Sequence, residues 1–171
     1  MAGHDITYLL KGCINNDRKC QKELYRQLHG FAMGICYRYA NDGTCVELIN
    51  KGFLNLLRSL HTTDISGHTD YLLMVKERFR LILIRVCVDH YHENNRNGHD
   101  GSGMIEAYMG KPIEAIRSLS PLHRMVFNLF VIEGYGHVEI SKMLGISLSA
   151  SRDCLSKARG HLKEQLKLNQ L

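Results

Sequence analysis

Proline occurs twice in 171 residues, and no stretch alternates Val or Thr with polar residues in the manner of a half-buried strand. A chain this short of helix breakers and strand patterns is expected to be all-α, with no strand required anywhere. No apolar run approaches the ~18 residues of a membrane span, and no charged segment followed by an apolar one opens the chain, so neither membrane insertion nor a secretory leader is expected. The six cysteines (Cys13, Cys20, Cys36, Cys45, Cys87, Cys154) contain no C-x-x-C pair and mostly fall within helical patterns. They read as small buried hydrophobes of a reducing cytoplasm, not as disulfides or zinc ligands. The ten histidines include His90-x-His92 and the nearby His61 and His68, yet H-E-x-x-H, a zinc-spaced Cys/His quartet, a Gly-rich phosphate loop and a Gly-x-Ser-x-Gly elbow are all missing. No enzyme activity, metal or cofactor is therefore expected.

Hydrophobic residues make up 44% of the chain, which argues against disorder, and the length suits one or two small helical domains. The formal charge of +5 is unevenly placed: residues 111–171 hold nine Lys/Arg against five Asp/Glu, residues 1–110 thirteen against twelve. A surplus gathered in the shorter part suits a phosphate-facing surface there.

That part has the clearest pattern. Ser120 as N-cap and Pro121 at the first helical position open a helix with Leu122, Met125, Val126, Leu129 and Phe130 on one face, and Gly134 ends it. From His137 to Leu144, Val138, Ile140, Met143 and Leu144 point inward; Gly145 supplies a tight turn, Ile146 fills the corner and Ser147 caps the next helix. In that last helix Leu148, Leu155, Ala158 and Leu162 are expected on the buried side, which leaves Ser149, Arg152, Asp153 and Ser156 together on the other. This is helix-turn-helix grammar. Arg152 is the expected base-edge donor, Lys157, Arg159 and Lys163 flank it toward phosphates, and the serine hydroxyls suit either. An ordinary amphipathic hairpin with a solvated charged face has the same spacing, and the pattern alone does not separate the two.

In the first half, Ile6 to Ile14 forms a short helix with Leu9, Leu10 and Cys13 inward, followed by a break where Asn16 or Asp17 caps the next. A second helix from Arg18 to about Ala40 carries Cys20, Leu24, Leu28, Phe31, Ile35 and Tyr39 as its stripe, with Gly30 and Gly34 as places for a neighbouring helix to approach. A third, from Thr44 to about Leu60, turns Val46, Ile49, Phe53, Leu56, Leu57 and Leu60 inward. After a loop, a long helix from Tyr71 to Tyr91 is striped by Leu72, Val75, Phe79, Ile82, Leu83, Val86 and His90. Residues 93–111, polar and Gly-rich at first, read as a flexible linker between domains at 1–92 and 112–171.

The run LSPLHRMVFNLFVIEGYGHVEISKMLGISLSASRDCLSKARGHLKEQL resembles, over its whole length, the C-terminal promoter-reading domain (region 4) of extracytoplasmic-function (ECF) sigma factors of bacterial RNA polymerase. The resemblance implies contacts to the minus-35 element from Ser149, Ala150, Arg152, Asp153, Ser156, Lys157 and Arg159. Where the family often carries a Thr-Val-Lys-Ser-Arg-like run, this chain has Ala150, Ser151, Arg152, Asp153 and Cys154. A basic place is kept at Arg152 and one is lost at Cys154, while Asp153 adds an acid, which implies a different promoter preference or affinity.

Upstream, TCVELINKGFLNLLRSL is similar to the family segment (in region 2) that docks on the polymerase clamp, implying contacts from Glu47, Asn50, Lys51, Phe53 and Leu57. Lys51 reverses a charge usual at its place. That fits either weakened docking on a basic clamp surface or a solvated residue of a diverged domain. The loop and helix that follow resemble the segment that captures an unstacked base of the minus-10 element. Its implied contacts are His68 and Tyr71 as stacking surfaces, Phe79 nearest the place of a family tryptophan that this chain lacks, and Lys76, Arg78, Arg80 and Arg85 along the backbone. A usual asparagine falls at Arg85 or Val86.

The resemblance thus implies a cytoplasmic sigma factor that joins core RNA polymerase, directs promoter-specific initiation and performs no chemistry itself. Its implied partners are core polymerase, promoter DNA and either an anti-sigma factor or another regulatory protein such as a response regulator. Two alternatives share the C-terminal motif. One is a helix-turn-helix transcriptional regulator independent of polymerase, although the helical first half lacks the strand–helix alternation of a receiver domain. The other is a sigma-like interaction protein that does not open promoters, for which Lys51 and the missing tryptophan and asparagine speak.

Overall fold

A computed structural model describes residues 6–40, 42–62, 70–97 and 111–168. Among them are eight α-helices and no strand: α1 (Ile6–Ile14), α2 (Arg18–Cys36), α3 (Asp42–Leu60), α4 (Tyr71–Asn97), α5 (Lys111–Arg117), α6 (Pro121–Phe127), α7 (His137–Leu144) and α8 (Leu148–Leu168). Asn16, at φ 59°, makes the turn after α1. The Asp17 carboxylate then accepts the amides of Lys19 at 2.7 Å and Cys20 at 3.4 Å and starts α2.

Two boundaries differ from those read in the sequence. α2 stops at Cys36 instead of near Ala40, because Arg38 and Tyr39 leave the helical path to meet Glu133. α4 continues past Tyr91 to Asn97: its polar extension contains no breaker before Gly98, and Asn94 Nδ2 lies 2.8 Å from His90 Nε2 one turn earlier.

The chain divides into two compact units, one of Met1–Tyr37 with Asp42–Val86 and one of Arg38–Asn41 with Cys87–Leu171. The first is built on Leu9, Leu10, Leu24, Leu28, Ile49, Leu56, Leu60, Val75, Phe79 and Leu83, all buried. Within it Phe53 lies edge-on to Tyr25 (centroids 5.0 Å, 89°) and to Phe79 (6.3 Å, 73°). Close approach of α3 to α4 occurs at Gly52, where a Cβ would stand 2.6 Å from Leu83 Cδ2; Gly30 and Gly34, expected to serve that purpose, face open space. Val46 and Leu72 are exposed instead of inward. The buried stripe of α3 runs through Cys45, Leu48 and Ile49, one step around from Val46, and burial on α4 begins a turn later, at Val75.

In the second unit α6 and α7 both pack on α8 around Met125, Val126, Leu129, Ile140, Leu144, Leu155 and Ala158. α6 passes into a π-helical turn at Asn128–Ile132, and Gly134, at φ 80°, ends it as expected. Ser120 occupies the cap position of α6 without a side-chain hydrogen bond. A buried polar knot fastens the short N-terminal piece of this unit. Arg38 Nη2 donates to Glu133 Oε1 at 2.7 Å, Asn128 Nδ2 donates to the Arg38 carbonyl at 2.8 Å, and the Tyr39 hydroxyl donates to Glu133 at 3.4 Å. Burial, and then the Glu133 carboxylate, hold the Tyr39 hydroxyl well above the usual phenol range, so it stays a donor. Val138 and Leu148, expected inward, are exposed: each sits in the first turn of its helix, and Ile140, Leu144 and Leu155 carry the burial beyond them.

Candidate nucleic-acid interface

The helix-turn-helix is assembled from local hydrogen bonds. The Gly136 amide donates to Glu139 Oε2 at 2.8 Å at the start of α7, half of a capping box whose other half glycine cannot supply. Gly145, at φ 66°, ends α7 in the left-handed region that favours glycine. Ser147 Oγ then accepts the Ala150 amide at 3.1 Å and starts α8, as the sequence implied.

The orientation of α8 is fixed from beneath. Ser151 is wholly buried, with Oγ 2.9 Å from His137 Nδ1. The His137 ring stacks on Phe130 (4.5 Å, 28°), and the Arg159 guanidinium stands 5.8 Å from the same ring centroid. None of these three links was read from the sequence. Ser151 gave a signal in retrospect, since it precedes Leu155 by one helical turn and so falls on the buried stripe. With that side pinned, Ser149, Arg152, Asp153 and Ser156 are exposed together, with Gly160 and Lys163 continuing the same face. Lys157 and Arg159 lie on its opposite flanks, and Ala150 is half-buried at its edge. Cys154 belongs to the core: burial is the main influence raising its thiol pKa, and Asp153 adds to it while Lys157 opposes.

On α3 the structure gathers Glu47, Asn50 and Lys51 on one exposed face and adds Leu54, 56% exposed, and Arg58. Leu54 follows Glu47, Asn50 and Lys51 at i+7, i+4 and i+3, which is the signal that would have included it. Phe53 is buried, while Leu57, i+3 from Leu54 and i+7 from Asn50, is half-buried at the edge of that face. Asn50 Oδ1 accepts a hydrogen bond from the Tyr25 hydroxyl at 2.9 Å.

The α4 candidates separate into groups. Tyr71, Arg78 and Arg85 repeat at i, i+7 and i+14 along one flank, with Arg78 Nε donating to Ser59 Oγ at 2.8 Å. Lys76 and Arg80 occupy the other flank, Lys76 Nζ lying 5.9 Å from the Phe31 ring centroid and Arg80 Nη1 paired with Glu77 at 3.2 Å. Phe79 is 1% exposed and packs against Phe53, so its ring offers no open face to a base. His68 lies outside the described residues. Among the described residues there is no cluster of side chains suited to a metal ion, and no helix is long and apolar enough to cross a membrane.

Residues 113–162 match the family model for sigma-70, region 4. No curated protein matches the chain. Among solved structures the chain is similar to the sigma factor RpoE in complex with the anti-sigma factor NepR from Bartonella quintana, with 14% identity, 85% of this chain and 96% of that chain covered, and a TM-score of 0.51. It is also similar to a chain of the RsbN–BldN complex (18% identity, 91% and 97% covered, TM-score 0.40) and to one of CnrH in complex with the cytosolic domain of CnrY (16%, 96% and 99%, 0.43). At these identities the likeness to RpoE is one of fold.

Proposed function

We infer that this chain, whose residues 113–162 belong to the sigma-70 region 4 family, is an ECF-type sigma factor. It binds core RNA polymerase and directs promoter-specific initiation of transcription, as a DNA-binding transcription factor. The observation that carries this reading is the family match lying on a helix-turn-helix whose last helix turns Ser149, Arg152, Asp153 and Ser156 to solvent.

In detail, we assign the minus-35 element to that face. Arg152 is its base-edge donor, and Lys157 and Arg159 are its phosphate contacts on either side. The Glu47–Arg58 face of α3, with Leu54 at its centre, is assigned to the polymerase clamp. The Tyr71–Arg78–Arg85 flank of α4 is assigned to the minus-10 strand, Tyr71 offering a stacking surface and the arginines backbone contacts. The chain contributes binding and orientation, while polymerase performs the chemistry. Its place of action is the cytoplasm, where polymerase is. A regulatory protein that sequesters or recruits it is part of this reading, since RpoE of Bartonella quintana, which shares the fold, is found in complex with an anti-sigma factor.

The test is reconstitution: purified chain, core polymerase from its host and fragments of the host genome, read by run-off transcription. Discrete transcripts that need the chain are the expected result. DNA binding without polymerase binding would instead identify a stand-alone regulator.

A further inference from the structure

Arg159 is exposed on α8, and among the described residues its guanidinium has neither an ion pair nor a hydrogen bond. What it meets is an aromatic ring: Cζ stands over Phe130, 5.8 Å from the centroid and within the reach of a cation–π contact. The ring attracts the charge but offers no lone pair, so the N–H donors remain for an oxygen acceptor. The ring is itself held. Phe130 is the middle residue of the π-helical turn Asn128–Ile132 and is half-buried. His137 stacks on it with ring centroids 4.5 Å apart, and His137 Nδ1 lies 2.9 Å from Oγ of the wholly buried Ser151. Through Ser151 on its buried side, α8 therefore fixes the platform on which its own exposed arginine rests.

Arg159 follows Arg152 at i+7, two turns along α8, with Ser156 between them. Two turns advance a helix by roughly 10 Å, comparable with the major-groove width of about 12 Å. A helix that brings Arg152 to base edges thus brings Arg159 to the rim of the groove, where the phosphates stand. We propose that Phe130 is a positioning residue for DNA binding: it seats the Arg159 guanidinium at the flank of the reading helix before DNA arrives. This rests on the reading of α8 as the promoter-contacting helix. A loose arginine side chain gives up many rotamers when it binds, whereas one already seated on a ring gives up fewer, and the phosphate contact gains from preorganisation without any new contact. Lys157, on the opposite flank, has no such ring beneath it among the described residues and serves as the control.

The experiment uses the full chain as wild type, Phe130→Leu, Phe130→Tyr, Arg159→Ala and Lys157→Ala, together with Phe130→Leu combined with each of the last two. Each is melted alone and titrated with one scrambled-sequence duplex across a salt series. Arg159→Ala is expected to weaken binding and lower the salt slope by about 1. Phe130→Leu is expected to weaken binding about threefold, and Phe130→Tyr, which keeps the ring, to restore it. That loss is expected to vanish when Arg159 is already alanine and to persist when Lys157 is. Wild-type affinity for Phe130→Leu overturns the proposal. So does an equal loss with and without Arg159, which would make the ring a support for the helices alone. If Phe130→Leu fails to fold, NMR of the wild type decides: Arg159 Hδ and Hε resonances displaced by a ring current in the free chain support the seat, and resonances at their free-arginine positions overturn it. Wild-type binding that Arg159→Ala leaves intact removes the phosphate contact and the proposal with it. A wild type that binds no duplex overturns the DNA-reading assignment of α8 itself, a result distinct from the others.

Discussion

His137 Nδ1 lies 2.9 Å from Ser151 Oγ, and Ser151 is wholly buried, so the first turns of α7 and α8 are joined by a hydrogen bond beneath the exposed reading face. Ser151→Ala leaves the ring nitrogen facing a methyl group at a closed site, a loss of about 1–3 kcal/mol. Denaturant unfolding should register it, with the order of preference among DNA sequences unchanged. A switched base preference at full stability would mean that Ser151 itself reaches the groove.

Arg152 and Lys157 are both exposed, one on the reading face and one on its flank. Arg152→Ala should cost about 1–3 kcal/mol at the cognate upstream element and little on scrambled DNA. Lys157→Ala should weaken all duplexes similarly and lower the salt slope by about 1. Equal losses on cognate and scrambled DNA for Arg152→Ala would remove it from the specificity role.

The Glu133 side chain has no exposure and pairs with Arg38 across most of the chain's length. Arg38→Ala removes the cation paired with a buried carboxylate that the Tyr39 hydroxyl also reaches, and a loss of up to about 3–5 kcal/mol is expected. Adding Glu133→Gln to that variant should recover part of it. Calorimetry on the single and double variants measures both, and no recovery in the double variant would show that charge is not the cause.

Two glycine substitutions should act in opposite directions. Gly52→Ala places a Cβ 2.6 Å from Leu83 Cδ2 and should cost about 1–3 kcal/mol by forcing α3 from α4. Gly30→Ala, in mid-helix with open space around it, should stabilise by up to about 1 kcal/mol. Thermal melts that moved the same way for both would contradict the packing described for Gly52.

The Asp17 carboxylate is held below its usual range by the Lys19 amide and then the Cys20 amide. A carboxylate depressed in the folded state contributes fully above its unfolded pKa of about 4 and loses that contribution as pH falls through the lower folded value. Asp17→Asn, which lacks that contribution, should be somewhat less stable than wild type at neutral pH and converge with it as pH falls below about 4, flattening the acid limb. An unchanged acid limb, followed by circular dichroism against pH, would rule out Asp17 as a source.

The helix-turn-helix was legible because its signals are local: Gly134, Gly145 and Ser147 mark its ends, and Ile140, Leu144, Leu155 and Ala158 keep the helical period. The all-helical class was legible for the same reason. What escaped depends on partners far away in the chain. Nothing local to Arg38 announces Glu133, so α2 was read too long. Phe53 and Phe79 fall on the inward stripes read in the sequence, and their burial against each other follows those stripes and leaves the contacts that the resemblance implied for them without an exposed ring. Buried polar groups were the least visible. Ser151, Asn128 and Arg124 carry types that belong on surfaces, and their burial comes from the packing of α5 to α8. Val46 and Val138 erred the other way: Val46 stands one step around α3 from its buried stripe, and Val138 lies in the uncovered first turn of α7.

As a sigma factor, this chain gives polymerase its promoter. Run-off transcription by core polymerase with and without the chain, using wild type and Arg152→Ala on the same genomic fragments, tests this. Discrete, chain-dependent transcripts are expected for the wild type, and weaker ones from the same start sites for the variant. Transcripts that appear equally without the chain, or none with it despite tight polymerase binding, would contradict it.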